Sequence, residues 1–218
     1  MPMVSAQDHK RAKDNNEGLN TGGMGTFSPT PFYTDEIAEF CMKNIFRPTI
    51  AAMDAEGRTF KGVLFVGLML TEKGPKVLEY NARFGDPETQ VVLPRMKSDM
   101  IEVMLACVDG TLDKTPLEFN DNAAMCVVLA SKGYPEHYEK GFPITVKDGF
   151  DGKEYILFHA GTKKADGKVV TNGGRVLGAT ALGKDLREAR DKAYKAASWV
   201  EFENKYNRTD LCRTILGD

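Results

Sequence analysis

The 218-residue sequence lacks several features that would assign it to common protein classes. Its four cysteines include no Cys-x-x-Cys pair, so free reduced thiols are expected rather than a disulfide framework. The formal net charge of −2 gives no reason to expect nucleic acid or an anionic membrane as a partner. The three histidines are too dispersed for a zinc site, and no Ser/His/Asp or Cys/His set stands out.

Long apolar runs and phosphate-loop motifs are also missing. The first residues contain no extended apolar stretch, so we expect no signal peptide or membrane anchor there. There is no repeat, no G-x-x-x-x-G-K-[ST] loop and no G-x-G-x-x-G fingerprint. With 42% hydrophobic residues, the chain can bury a core as one large or two small domains. We therefore expect a cytoplasmic protein.

The most informative segment, residues 77–88, begins with an apolar stretch that predicts a strand. Because strand side chains alternate between faces, Glu79 and Asn81 should share one face, while Leu78 and Tyr80 should pack on the other. Magnesium usually takes one or two carboxylates from protein and fills its other positions with phosphate oxygens and water. One charged and one neutral oxygen at this spacing therefore suit such an ion.

The residues after this strand extend the pattern. Arg83 follows where the strand should end, and its planar guanidinium is suited to contacting a phosphate. Asp86 before Pro87 is typical of a helix N-cap, with Glu88 in the first turn. A Glu-x-Asn pair alone is most often a solvated face, but that interpretation does not explain the pair and the arginine together. The segment predicts a metal–nucleotide site.

Three other motifs each have an ordinary structural interpretation. Residues 8–11 pack charges closely, which is usually a solvated run. Three glycines in the loop at residues 20–25 let backbone approach a ligand and offer N–H donors, although an ordinary turn explains them too. Asn172-Gly173 is typical of a hairpin turn, which turn geometry alone explains, and Arg175 after it is the single hint of anion binding in the second domain.

Hydrophobic periodicity predicts an α+β fold with two domains. Residues 1–119 should form an antiparallel sheet with helices, and residues 120–218 a small β-rich domain closed by a helix. Residues 5–31 are expected to be loop. Helices are predicted over 34–55 (kinked at Pro48), 87–96, 99–108 and 186–200. Strands are predicted over 60–70, 76–81, 123–131, 155–162, 168–171 and 175–182.

Taken in order, these motifs resemble the phosphoribosylamine–glycine ligase family (the glycinamide ribonucleotide synthetases) of the ATP-grasp superfamily. The resemblance covers about residues 3–215. The blocks that carry it are Gln7-Asp8-His9-Lys10-Arg11, Asn20-Thr21-Gly22-Gly23-Met24-Gly25, Ser28-Pro29, Leu78-Glu79-Tyr80-Asn81-Ala82-Arg83-Phe84-Gly85-Asp86-Pro87-Glu88-Thr89-Gln90, Phe158-His159-Ala160-Gly161-Thr162 and Val170-Thr171-Asn172-Gly173-Gly174-Arg175-Val176.

The resemblance implies an ATP-dependent ligation of glycine to 5-phosphoribosylamine through a glycyl phosphate. The products are glycinamide ribonucleotide, ADP and phosphate, in purine biosynthesis. It implies that Glu79 and Asn81 hold Mg²⁺ or Mn²⁺ and contact ATP, and that Arg83 is catalytic, steadying the transferring phosphoryl group or the tetrahedral intermediate. Lys10 corresponds to a phosphate-contacting lysine. The substrate-facing residues would be Asn20, Thr21, Gly22, Gly23, Met24, Gly25 and Arg175.

The resemblance also implies that part of the site is missing. The strand at residues 63–70 has no acid where many ATP-grasp enzymes carry a further metal ligand. The chain resembles only the C-terminal half of the family, namely one lobe of the ATP-grasp clamp and the C-terminal domain. We expect it to be inactive alone, with the missing N-terminal half as a partner. Two alternatives stay open: another ATP-grasp carboxylate–amine ligase, or a non-catalytic fragment or scaffold.

Overall fold

The computed structural model describes residues 1–147 and 149–217. The strands are β1 (Gln7–Asp8), β2 (Arg11–Lys13), β3 (Glu17–Asn20), β4 (Gly25–Ser28), β5 (Phe65–Thr71), β6 (Gly74–Asn81), β7 (Ala123–Ser131), β8 (Thr145–Val146), β9 (Tyr155–His159), β10 (Thr162–Ala165), β11 (Lys168–Thr171), β12 (Arg175–Gly183), β13 (Val200–Glu201) and β14 (Lys205–Tyr206). The α-helices are α1 (Asp35–Cys41), α2 (Arg47–Ala55), α3 (Thr89–Val92), α4 (Met100–Asp109), α5 (Leu186–Ala197) and α6 (Arg213–Leu216). This mixture of helices and antiparallel strands confirms the predicted α+β class.

The chain divides into two compact units that alternate along the sequence. The first unit contains Met1–Met3, Thr30–Gly85 and Lys97–Glu118, and the second contains Val4–Pro29, Asp86–Met96 and Phe119–Asp218. This grouping differs from the predicted division between residues 119 and 120. The reason is that the stretch expected to be loop supplies β1 and β4 to the sheet built around β7.

The second unit is built on an antiparallel sheet with the strand order β1-β4-β7-β12-β9, and β14 also pairs with β7. All nine residues of β7 are buried, as a central strand covered on both faces requires. Helix α5 packs on this sheet through small side chains, since Ala189, Ala193 and Ala197 are all buried. The predicted closing helix therefore exists, but it ends at Ala197, and Val200 begins β13.

The first unit contains the helical segment that begins at Thr34. The Thr34 hydroxyl accepts the backbone N–H of Ile37, as a helix N-cap should. Pro48 has no N–H, and the helix accommodates it with a π-helical turn over Met42–Phe46 before continuing as α2 to Ala55. The predicted helical segment is confirmed, with the irregularity just before the proline.

The hairpin of the first unit joins β5 to β6, and it is a two-stranded sheet. Its register pairs Gly67 with Glu79 and Phe65 with Asn81, with a bulge on β6 before Glu79. The predicted hairpin is confirmed, although β5 begins at Phe65 rather than near residue 60. Among the described residues no helix is both long and apolar enough to cross a bilayer.

The helix predicted over residues 87–96 is shorter in the structure. Its α-helical part is α3, and a 3₁₀ turn over Leu93–Arg95 follows, because Pro94 cannot donate to an α-helical hydrogen bond. Glu88, rather than Asp86, occupies the N-cap position and makes no side-chain cap bond. The predicted helix at 99–108 is confirmed as α4, with the Asp99 carboxylate capping its N-terminus.

Candidate functional site

Strand β6 of the first unit presents Glu79 and Asn81 on one face. The bulge precedes Glu79, so alternation is regular from Glu79 to Asn81. Tyr80 points to the opposite face, where its hydroxyl lies 3.0 Å from the Thr49 hydroxyl on α2. Leu78, expected to pack on that face, is instead 64% exposed. The oxygen pair predicted from the sequence is thus present on one face.

The facing strand leaves space beside Glu79. A Cβ added to Gly67, the cross-strand partner of Glu79, would lie 3.0 Å from Glu79 Cγ. Glycine therefore lets the Glu79 side chain lie across β5. Phe65 is the partner of Asn81, so neither facing residue is acidic. No group of three or more Asp, Glu, His or Cys within residues 1–147 and 149–217 could form a metal cage.

This donor set suits a divalent ion that brings most of its own ligands. Glu79 is exposed, so its carboxylate is accessible to a ligand. The Asn81 Nδ2 atom is buried without a hydrogen-bond partner, and Oδ1 accepts from Arg83 Nη2 at 3.3 Å. An amide oxygen has two lone pairs, so Oδ1 retains one for a metal ion. Two oxygens match magnesium bound chiefly through phosphates and water.

Arg83 adjoins this pair directly. Its Nη1 donates to the Phe84 carbonyl at 2.7 Å, while its Nη2 reaches Asn81. The guanidinium is exposed, and these two bonds leave other N–H groups available for an anion. Glu79, Asn81 and Arg83 therefore form one cluster in the first unit.

Lys10 belongs to the second unit and is held by a buried carboxylate. Its Nζ lies 2.6 Å from Asp8 Oδ2, with the Asp8 side chain 5% exposed and that of Lys10 47% exposed. Burial raises the pKa of Asp8 to about 6, although Lys10 acts in the opposite direction. Burial also raises the pKa of Glu88, whose negative charge contributes to the shift at Asp8. Lys10 thus presents a half-exposed ammonium above two buried carboxyl groups.

His9, which lies between Asp8 and Lys10 in the sequence, has a structural role. Its Nδ1 lies 3.3 Å from the Gly25 carbonyl oxygen, and its Nε2 accepts the Cys212 N–H at 3.2 Å. Burial, reinforced by the positive charge of Arg208, lowers its pKa to about 4. The imidazole is therefore neutral at pH 7, with its proton on Nδ1.

The backbone of the glycine-rich loop at residues 20–25 is committed to internal bonds. The N–H groups of Thr21, Gly22, Gly23 and Met24 donate to Lys10 O, Tyr134 Oη, Thr21 Oγ1 and His9 O. The loop thus differs from the expectation of free N–H donors. Asn20 and Gly22 are exposed and Thr21 is half-buried, whereas Gly23, Met24 and Gly25 are buried.

The glycines of this loop allow close approach by side chains. A Cβ on Gly23, whose φ is +124°, would lie 2.6 Å from both carboxylate oxygens of Asp8 and 2.5 Å from Pro87 Cδ. A Cβ on Gly22 would lie 2.8 Å from Cζ of Arg175. The loop therefore covers the Asp8 carboxylate with one glycine and receives the Arg175 guanidinium on the other.

Arg175 joins this loop to the segment that begins at Asp86. Its Nη1 donates to the carbonyls of Gly22 (2.8 Å) and Asp86 (2.9 Å), and its Nη2 lies 3.1 Å from Asp86 Oδ2. The other Asp86 oxygen accepts from Gln90 Nε2 at 3.0 Å. Asp86 is therefore not the helix N-cap that the sequence predicted, because its carboxylate binds these two side chains.

The structure adds three residues that the sequence reasoning did not assign to a site. Asp8 and Glu88 lay inside the motifs, but their burial has no local signal; the Asp8 side chain is 5% exposed because Gly23 lies against its carboxylate, and Glu88 is 8% exposed. Tyr134, which accepts the Gly22 N–H, carried no sequence signal, because a residue 112 positions away is brought to the loop only by the sheet.

Comparison with known proteins defines the class first. Residues 1–89 match the family model "Phosphoribosylglycinamide synthetase, ATP-grasp (A) domain", and residues 124–214 match "Phosphoribosylglycinamide synthetase, C domain". The biotin carboxylase domain of 2-oxoglutarate carboxylase from Hydrogenobacter thermophilus, solved with MgADP and bicarbonate, shares the fold. Its TM-score is 0.56 at 13% identity, covering 84% of this chain and 40% of that one. The chain is an ATP-grasp protein.

Closer relatives define the family. The phosphoribosylamine–glycine ligase of Agrobacterium fabrum is 50% identical over 212 residues, which is 97% of this chain and 50% of that protein. The crystal structure of the Thermotoga maritima ligase has a TM-score of 0.85 at 38% identity, covering 95% of this chain and 51% of that one. The chain belongs to the phosphoribosylglycinamide synthetase family, and it spans about half the length of these relatives.

Proposed function

We propose that this chain supplies part of the active site of a phosphoribosylamine–glycine ligase. The reaction joins glycine to 5-phosphoribosylamine with consumption of ATP, through a glycyl phosphate, and serves purine biosynthesis. The observation that carries the proposal is the pair of oxygen-bearing side chains on one face of β6: Glu79, which lies against Gly67, and Asn81, which accepts a hydrogen bond from Arg83. Relatives about 50% identical to this chain and named as this ligase support it.

Glu79 and Asn81 would hold Mg²⁺ or Mn²⁺ and orient the phosphates of ATP. When bound, such an ion offsets the negative charge of the transferring phosphoryl group. The Hydrogenobacter domain was solved with MgADP, which supports the proposal that this site binds magnesium together with an adenine nucleotide. Because β6 contributes only these two side chains, the phosphates must supply further ligands, which makes ion and nucleotide binding mutually dependent.

Arg83 would contact the oxygens on which negative charge develops. Its side chain is exposed and already oriented by Asn81 and the Phe84 carbonyl. A guanidinium whose position is fixed before the reaction stabilises a developing oxyanion without reorganising during the step. Arg83 is therefore the proposed catalytic residue.

In the second unit, Lys10 is proposed to contact a phosphate, with Asp8 fixing the direction of its ammonium. The exposed part of the loop, from Asn20 to Gly22, is proposed to face glycine and the sugar. Three donor contacts of Arg175 are already made within the unit, so we propose that it acts on the substrates by holding this loop in place. The four free cysteines support a cytoplasmic location.

The proposal is tested by Glu79→Gln in the complete ligase, meaning this chain together with the half of the ligase polypeptide that it does not match. Gln keeps the shape but removes the charge that holds the ion, so turnover should fall by about 100-fold or more. Glu72→Gln, at the exposed hairpin turn, is the matched control and should leave turnover unchanged. Equal turnover of both variants at saturating magnesium, with unchanged melting temperatures, would refute the metal assignment.

A further inference from the structure

Burial is distributed very unevenly between the two units. Among the described hydrophobic residues of the first unit, only Cys41 and Ala106 are buried, whereas the second unit contains the whole remaining buried core. The large hydrophobic side chains that stay exposed follow the reverse distribution. Among the residues that the structure describes outside the first unit, only Leu19 and Val146 belong to this exposed set. The first unit therefore carries apolar surface without a core to receive it.

Helix α4 shows this most clearly. Ile101, Met104, Leu105 and Val108, which we call the α4 stripe, recur at the spacing of one helix face and are 68%, 45%, 57% and 64% exposed. The opposite face holds the buried Ala106. A helix that is apolar on both faces is typical of a helix buried on both sides. One side of α4 is covered within the unit and the other is not.

The hairpin of the first unit is similarly incomplete. Met69 and Leu70 on β5 and Leu78 on β6 are 50%, 39% and 64% exposed. Within the part of the chain that the structure describes, β5 and β6 pair only with each other. An isolated two-stranded hairpin is only marginally stable in water, and its free edges can accept further strands.

We propose that the α4 stripe is a docking surface for the half of the ligase polypeptide that this chain does not match. This inference rests on the proposed function in one respect, since it takes the occupant to be the remainder of that enzyme. The relatives carry about as much additional chain as this one contains, because the match covers 50% of the Agrobacterium protein and 51% of the Thermotoga chain. A folded partner of that size can bury a helix face and also extend a hairpin edge.

The test is a binding measurement with two purified polypeptides: this chain, and the half of the Agrobacterium fabrum ligase that it does not match. Light scattering after gel filtration should show a one-to-one complex. Leu105→Lys and Ile101→Lys should each weaken it by at least about 30-fold, as expected for an apolar anchor at the centre of an interface. Leu19→Lys is the matched control, because Leu19 is 51% exposed but lies in the second unit.

Both replaced side chains are solvent-exposed, so circular dichroism and melting curves should match the wild-type chain. Three outcomes would overturn the proposal: no complex, a complex that Leu105→Lys leaves intact, or a self-association of this chain that Leu105→Lys abolishes. Ligase turnover is measured separately on the complex. A complex that depends on the α4 stripe but makes no glycinamide ribonucleotide would refute the proposed function while leaving the docking surface established.

Discussion

Asp8→Asn is expected to change how the stability of the second unit depends on pH. Folding raises the pKa of Asp8 from 3.8 to about 6 and lowers that of His9 from 6.5 to about 4. Between pH 3.8 and 6 the folded state binds more protons at Asp8, so rising pH destabilises it. Between pH 4 and 6.5 the unfolded state binds more protons at His9, so rising pH stabilises the fold.

The two effects are of similar size. At roughly 1.4 kcal/mol for each pH unit between the folded and unfolded pKa, each residue contributes about 3 kcal/mol. They nearly cancel in the wild-type protein. Asparagine does not titrate, so in Asp8→Asn only the His9 contribution remains. Relative to wild type, the variant should therefore lose about 3 kcal/mol of unfolding free energy between pH 6.5 and pH 4.

The assay is urea unfolding at a series of pH values, followed by the fluorescence of Trp199. This residue is the single tryptophan of the sequence and packs against Phe150 and Tyr155 in the second unit, so its signal reports on that unit. Groups that do not interact with the Asp8 side chain, including the His9 imidazole, cancel in the difference between variant and wild type. His9→Gln should give the opposite slope. Parallel pH profiles for Asp8→Asn and wild type would refute the reasoning.

Three further substitutions test other contacts. Gly67→Val should displace the Glu79 side chain and raise the KM of the complete ligase for magnesium–ATP. An unchanged KM would show that Gly67 does not position Glu79. Arg83→Lys should lower kcat because the planar two-pronged donor is lost, and a Lys variant as active as wild type would instead make Arg83 structural. Gly23→Ala should destabilise the second unit by more than about 2 kcal/mol, since its φ of +124° and the Asp8 carboxylate leave no place for a methyl group; a smaller loss in urea titrations would contradict this.

Elements whose signals are local could be predicted from the sequence. The helices predicted to begin at residues 34 and 99 are present, and Thr34 and Asp99 cap them, since a capping side chain and the N–H that it accepts lie within a few residues. The face shared by Glu79 and Asn81 follows from strand alternation alone. The four cysteines are free, as expected from their spacing.

Features that depend on long-range packing could not be predicted. Residues 25–28 resemble loop sequence, yet they form β4 because β7, about 100 residues later, offers them a buried edge. Asp86 has the local pattern of an N-cap, but Arg175 and Gln90 bind its carboxylate instead. The exposed donors expected of the glycine-rich loop are used by distant acceptors such as Tyr134. In each case tertiary contacts outweigh the local preference.

The most direct test of the account measures ADP release with ATP, magnesium, glycine and 5-phosphoribosylamine. The protein is this chain alone or this chain with the half of the ligase polypeptide that it does not match. The proposed metal ligands, Glu79 and Asn81, are only two side chains, so the chain alone should show no glycine-dependent release, whereas the complete ligase should release ADP and form glycinamide ribonucleotide together. Robust turnover by the chain alone, or none by the complete ligase, would contradict the account.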